Sequence, residues 1–322
     1  MSLPLKGIVL SVALATLSGQ LLADDYADGV AAFNNKDFAA AVNFFSKAIE
    51  QDQNNADAFV YRGGAYNSLG ELDKAFADCD AAIRLDPKQV SALANRGSVW
   101  FAKNEFDKAL ADYDAAIRLD AQNATIYIGR GSTWYAKGEA DKAIADYEMA
   151  IRLDPNDVSA YINRGAAWYA KGDLEKVLAD FDSVVRLDPN NALFHIYRGD
   201  VLDLKGDFAQ ALAAYDAAIR LDPKSAMAYN NRAWLRATCQ DDKFRDGAKA
   251  VEDAMKASEL ASGQDFSMLD TLAAAYAEAG QFDKAVEWQQ KAIELAPDDQ
   301  KEDLGTRLEL YQAKKPNRVE RK

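Results

Sequence analysis

Histidine and cysteine are scarce in this chain: its 322 residues include one histidine, His195, and two cysteines, Cys79 and Cys239. Two cysteines cannot build a disulfide framework. One histidine with no cysteine nearby in sequence cannot assemble a His-based catalytic or zinc site. No GxGxxG, HExxH or GxSxG string occurs, nor a Gly-rich loop ending in Gly-Lys-Ser/Thr. The expectation is a protein without catalysis, metal or cofactor. Positive charge is also in deficit, with 38 Lys and Arg against 51 Asp and Glu and a formal net charge of −13. That balance argues against a nucleic-acid partner, which needs a basic surface for phosphates. The only concentrated basic run, "KKPNRVERK" from Lys314, is interrupted by proline and reads as a solvated terminus.

Long apolar runs are missing except at the start. Lys6 precedes an uncharged stretch from Gly7 to Ala23 that ends in "LLA" before Asp24 and Asp25. A positive start, a short apolar run and a small residue at the cut describe a secretory signal peptide over residues 1–23, cleaved after Ala23. Leu21 is an imperfect residue for that cut, and the run is short for a span of about 20 apolar residues. Retention as a membrane anchor is the alternative. The segment "LSGQ" resembles a lipoprotein box, but Gln20 stands where the lipidated cysteine must be. The expected location is therefore periplasmic or extracellular, without lipid attachment.

What the chain does have is a period. "RLDP" occurs at Arg84, Arg152, Arg186 and Arg220 and "RLDA" at Arg118, each 34 residues from the next. Aligned on it, blocks span 22–55, 56–89, 90–123, 124–157, 158–191 and 192–225, then an irregular 226–265 and a regular 266–299. Gly fills the eighth place six times, as in Gly97, Gly131, Gly165 and Gly199. Ala or Val holds the twentieth place, an aromatic usually the twenty-fourth (Phe45, Tyr113, Tyr147, Phe181, Tyr215), and Pro closes five blocks at the thirty-second. Each block carries two helical patterns of apolar residues three and four apart, such as Ser91–Lys103 and Glu105–Leu119. Gly138 or Gly172 supplies the turn between them, and Pro is expected to stop the second helix.

These residues carry a resemblance. The chain is similar to tetratricopeptide repeat (TPR) proteins, whose 34-residue repeats show this register of Gly, Ala, aromatic and Pro. The resemblance covers residues 22–299. It implies an all-α solenoid of helix–turn–helix units in a right-handed superhelix, in which stacked pairs share one continuous core. Block 226–265 keeps a first helix at "YNNRAWL", then inserts "ATCQDDKFRDG" before a second helix near Ala248 to Leu260. It reads as a degenerate repeat with a lengthened loop. Glu302 to Ala313, within 300–313, suits a helix that caps the exposed end, and 314–322 is the basic tail.

Arg fills the seventh place of six blocks: Arg62, Arg96, Arg130, Arg164, Arg198 and Arg232. Asp fills the twenty-third of four: Asp78, Asp112, Asp146 and Asp180. A partly buried Arg needs a carboxylate, so structural ion pairs are expected rather than anion sites. Asp146 and Asp180 are the candidates for Arg164. His195, at a place held elsewhere by Phe or Tyr, reads as a core aromatic substitute, and Lys103, Lys137, Lys171 and Lys205 as complements to helix C-termini.

In the family, the first helix of each pair lines a concave groove that holds a peptide or partner helix. The resemblance places Phe101, Tyr135 and Tyr169 there, with small Ser98, Ser132 and Ala166 beside them. Asn95, Asn163 and Asn231 stand at the sixth place, where an amide matches a peptide bond. Gly129 and Tyr197 interrupt that ladder, and Asp200 and Asp203 turn the groove acidic. A carboxylate clamp of Lys and Arg has no counterpart, since Ala94, Ile128 and Ile162 hold its places. The implied function is a non-catalytic scaffold for a protein or peptide partner, one of basic character where the groove is acidic, with no small-molecule substrate evident. A membrane-anchored assembly factor, or an accessory subunit of an enzyme complex, is the alternative.

Overall fold

The structure is a computed structural model that describes residues 25–319; the signal-peptide or anchor segment falls outside the described residues. The chain divides into two compact units, one ending at Ala160 and one starting at Tyr161.

The first unit holds α1 (25–34), α2 (Phe38–Gln51), α3 (Ala56–Ser68), α4 (Leu72–Leu85), α5 (Val90–Ala102), α6 (Phe106–Leu119), α7 (Ala124–Ala136) and α8 (Ala140–Leu153). Consecutive helices pack pairwise from α2 to α8, and the first helices of neighbouring repeats also touch, α3 with α5 and α5 with α7. The second unit holds most of α9 (Val158–Ala170), then α10 (Leu174–Leu187), α11 (Ala192–Lys205), α12 (Phe208–Leu221), α13 (Ala226–Thr238), α14 (Gly247–Leu260), α15 (Phe266–Glu278), α16 (Phe282–Leu295) and α17 (Lys301–Gln312). Packing runs pairwise from α10 to α17, and α13 touches both α11 and α15. No named strand occurs among the described residues; one isolated bridge joins Cys239 and Val319.

The repeat residues explain themselves in place. In α6 the buried side chains are Ala109, Leu110, Asp112, Tyr113 and Ala116, one stripe of a 3.6-residue helix. The eighth-place glycine faces the twenty-fourth-place aromatic of its own repeat. A Cβ on Gly199 would stand 2.6 Å from Tyr215 Cε1, inside any tolerable contact, so the helices meet with the ring lying against bare backbone. Between helices, Gly138 sits at φ +80°, and the Glu139 and Gly138 N–H groups donate to the carbonyls of Trp134 and Tyr135. This is a Schellman turn.

Proline does not stop the second helix by itself. α6 ends at Leu119 in the same way as its neighbours although Ala121 replaces Pro there. The shared feature is the preceding Asp: Asp86, Asp120, Asp154 and Asp222 are extended or nearly so and accept from the N–H two residues on, at 2.9–3.0 Å. These Asx turns offer the backbone an exit from the helix.

α17 caps the second unit by burying Tyr311 and Leu304 completely or nearly so, with Tyr311 in one cluster with Ala273, Ala277 and Ala285. Within the basic segment after it, Lys314 and Lys315 are exposed as expected, but Arg318 and Val319 make contacts. Val319 N–H donates to Thr238 O at 3.0 Å, and the Arg318 guanidinium lies 2.6 Å from Glu278. The reason is local: the insertion leaves the end of α13 with open carbonyls and a carboxylate nearby.

Candidate partner-binding surface

Five of the six seventh-place arginines grip a buried carboxylate of their own repeat. Arg62 grips Asp78 with Nε and Nη2, both at 2.7 Å. Arg96 does the same to Asp112, at 2.8 and 2.7 Å, and Arg130 to Asp146, at 2.9 and 2.6 Å. Arg164 pairs with Asp180 at 2.6 Å; of the two candidates, Asp146 is held by Arg130. The carboxylates are buried, and hydrogen bonds to them raise the pKa of Arg62, Arg96 and Arg130 further still. In Arg232, burial works against the charge but Asp253 and Asp216 outweigh it.

A second tier of acids escaped the sequence reading. The remaining guanidinium nitrogen reaches back to the twenty-fifth place of the preceding repeat: Arg96 to Asp80, Arg130 to Asp114 at 2.6 Å and Arg232 to Asp216 at 2.5 Å. Arg198, whose own repeat has Ala214 in place of the buried Asp, relies on Asp182 at 2.6 Å. The recurrence of an acid at 34-residue spacing, Asp80, Asp114, Glu148, Asp182 and Asp216, was the available signal. Arg232 finds its buried carboxylate in Asp253, five residues later than the register predicts, because the insertion is that much longer.

The inter-helix lysines also have a role beyond the one expected. Lys103 reaches Asp73 and Lys205 reaches Glu175, both at 2.5 Å, and Lys137 pairs with Asp107. Each ties its repeat to the one before it while standing at its own helix end, Lys103 and Lys137 as C-caps and Lys205 in the last turn. His195 Nε2 donates to Pro189 O at 2.9 Å, as the Tyr127 hydroxyl donates to Ala121 O. It is half-buried at that loop rather than a purely apolar substitute. Cys79 is buried, and burial pushes its thiol up to about 12, which leaves no thiolate for chemistry.

In the first unit a pocket of about 380 Å³ opens beside α5 and α7, lined by Asn95, Ser98, Tyr113, Thr125 and Ile128. Several of its polar groups are already engaged. Asn95 donates to Val60 O at 3.2 Å and Ser98 shares a 2.9 Å hydrogen bond with the Tyr113 hydroxyl; outside the pocket, Ser132 accepts from Tyr147 at 3.2 Å. Gly129 has a steric cause, since a Cβ there would stand 2.8 Å from the Tyr113 ring. Phe101 is half-buried against Phe106, whereas Tyr135 is 41 % exposed.

In the second unit Tyr169 is 56 % exposed, and Asn163 is half-buried one helical face away. A pocket of about 390 Å³ on the first helices α11, α13 and α15 gathers Asp200, Asp203, Asn231, Trp234 and Tyr215. Asp270 joins them, a residue that sequence reasoning missed because it lies in the last repeat, outside the arginine register. Asp200 accepts from Tyr215 and Asn231, each at 2.8 Å. Burial pushes its carboxyl above the ordinary aspartate range; the two donors oppose this, and Asp203 adds to it. Burial also raises Asp270, against the pull of Arg307 and Gln289. No Lys or Arg is among the residues that line the pocket; Arg307, outside the lining, pairs with Asp270 at 2.8 Å, so the negative charge left on the aromatic-walled surface centres on Asp200 and Asp203. Among the described residues no group of three or more His, Cys, Asp or Glu is placed to hold a metal, and no helix is long and apolar enough to cross a membrane.

Stacked helical hairpins on a 34-residue period define an α-helical repeat protein, and the comparisons specify which. TPR repeat profiles match residues 97–136 and 131–172, and tetratricopeptide repeat profiles match 26–90, 168–226, 198–238 and 268–299. The chain belongs to the tetratricopeptide repeat family. No curated protein matches it in sequence. Among solved structures, it resembles the C-terminal part of a TPR repeat-containing protein from Cytophaga hutchinsonii, with 21 % identity and a TM-score of 0.59 over 77 % of this chain and 99 % of that one. It also resembles yeast Tom70, at 21 % and 0.54 over 86 % and 59 %, and Pseudomonas aeruginosa PilF, at 20 % and 0.54 over 65 % and 92 %. At these identities the likeness is one of fold. The fold is that of a scaffold for protein–protein interaction.

Proposed function

We propose that this chain is an exported, non-catalytic scaffold that captures a protein segment on the first-helix faces of its repeats, and that its second unit favours a segment bearing a basic side chain. One observation carries the preference: the pocket of Asp200, Asp203 and Asp270, walled by Trp234 and Tyr215, is lined by no lysine or arginine. Asp200, raised by burial and held by the neutral donors Tyr215 and Asn231, gains from a lysine or arginine beside it, while Asp270 already pairs with Arg307; aromatic walls accept the cation's alkyl stem or its charge. Tyr135 and Tyr169, both exposed, supply amphipathic contact area in their own units.

The test is crosslinking and mass spectrometry in the native compartment, followed by titration of the captured segment against the purified chain. Binding should weaken as salt rises and fall about tenfold or more in Asp200→Asn/Asp203→Asn, on the scale of one lost charged contact. Binding indifferent to both salt and this double substitution would reject the basic preference. Export is read from the mature N-terminus: a start at Asp24 agrees with it, and retained residues 1–23 favour the anchored alternative.

A further inference from the structure

The insertion in the seventh repeat ends α13 abnormally. In the other turns a left-handed residue folds the chain back over the helix end, but Cys239 leaves at φ −54°, ψ 136°, so no Schellman turn covers the last carbonyls. Arg245, within the insertion, donates to Cys239 O at 2.9 Å and Gln240 O at 3.0 Å, and its Nε to Glu278 at 3.0 Å. Asp246 N–H donates to Arg236 O at 3.0 Å, and Phe244 packs on Phe208. The insertion is therefore tied down at both ends. Two backbone carbonyls and a carboxylate oxygen beside it are served from outside it. Val319 N–H donates to Thr238 O, in a parallel bridge between Cys239 and Val319. Arg318 donates to Ala237 O at 3.4 Å and pairs with the second oxygen of Glu278 at 2.6 Å.

We infer that the end of α13, the insertion and Glu278 form a receptor for an extended, arginine-bearing peptide segment, and that the chain's own Pro316–Val319 is its ligand. The recognition has three parts: backbone pairing of strand type, a mostly buried carboxylate for the arginine, and a helix C-terminus whose partial negative charge favours a cation. Glu278 is 13 % exposed in its side chain and already holds Arg245, so the arriving Arg318 completes a carboxylate shared between two guanidinium groups. The short connection from α17, which ends at Gln312, holds the ligand at an effective concentration on the order of millimolar. A modest contact is thereby kept closed within one molecule.

Amide exchange on the intact chain tests this, with residues 236–246 as the readout. Deletion of residues 316–322, and Arg318→Glu, should each speed exchange there by about tenfold to a hundredfold, as expected for loss of charge-assisted hydrogen bonds. Lys315→Glu makes the same charge change at an exposed neighbour and should leave exchange unaltered. A capped peptide of residues 314–319, added at millimolar concentration to the deletion variant, should restore protection. Unaltered exchange on deletion, an equal effect of Lys315→Glu, or no restoration by the peptide would each overturn the receptor. A dimer that dissociates on removal of Arg318 would overturn the assignment of the ligand to the same molecule.

Discussion

Arg164 and Arg198 hold the same place in successive repeats, yet their surroundings differ sharply. Arg164 is 21 % exposed and grips Asp180, whose side chain is 3 % exposed. Arg198 is 27 % exposed and holds Asp182, which is half in solvent. Truncating Arg164 leaves a buried carboxylate without its cation, so Arg164→Ala should lower stability by about 3 kcal/mol. Arg198→Ala should cost under about 1 kcal/mol, since an exposed pair contributes little. Denaturant midpoints of the two variants decide it, and equal losses would refute the buried-pair account. Gly247 makes a similar point about backbone. It opens α14, where alanine would ordinarily favour the helix by up to about 1 kcal/mol. Its missing Cβ would lie 2.7 Å from Ala279 N and 2.8 Å from its Cα. Backbone atoms cannot step aside as a side chain can, so Gly247→Ala should destabilise by about 1–3 kcal/mol. A rise in thermal midpoint would show that the helix ends separate freely.

At the scale of elements, the acidic pocket sets stability against pH. Asp200 on α11 is raised above its unfolded value, chiefly by burial. The folded state then binds the proton more tightly than the unfolded one, so the contribution of this group to stability falls as pH climbs from about 4 through the raised value. Asp200→Asn keeps an oxygen to accept from Tyr215 and removes the titration. The variant should match the native chain near pH 3 and exceed it in thermal midpoint at pH 7, while binding a basic segment less well. A lower midpoint at pH 7 would mean that the carboxylate is already stabilised by its neighbours. Much of this element structure was legible beforehand. Helix pairs, turn glycines and the arginine–aspartate pairing within repeats follow from residues that recur at one spacing, and the capping helix from the segment after the last repeat. What escaped the reading lay in contacts between repeats or outside the register. Asp80 and Asp114 answer an arginine from the next repeat, Asp73 and Asp107 answer a lysine 30 residues later, and Asp253 is displaced by the insertion. The groove candidates Ser98 and Ser132 looked free in sequence because the tyrosine that occupies each lies 15 residues away on the second helix.

At the scale of the whole molecule, a repeat stack has an end that must be closed, because each repeat buries its face only against a neighbour. In this chain α17 closes the last repeat with Tyr311 in the cluster of Ala273, Ala277 and Ala285, with Trp288 packed against it, and buries Leu304 as well. The net charge of −13 opposes self-association in general, but it does not cover an exposed apolar face. Tyr311→Ala keeps the helix and the segment after it while hollowing the contact, and should cost about 3–5 kcal/mol. Deleting residues 298–322 removes the cover altogether. That chain should bind a hydrophobic dye and form concentration-dependent oligomers in sedimentation, whereas Tyr311→Ala should remain monomeric but unfold its last repeats at lower denaturant. If the deletion variant stayed monomeric, bound no dye and unfolded as the intact chain does, α17 would be an appendage and the closure of the stack would have to come from α16 alone.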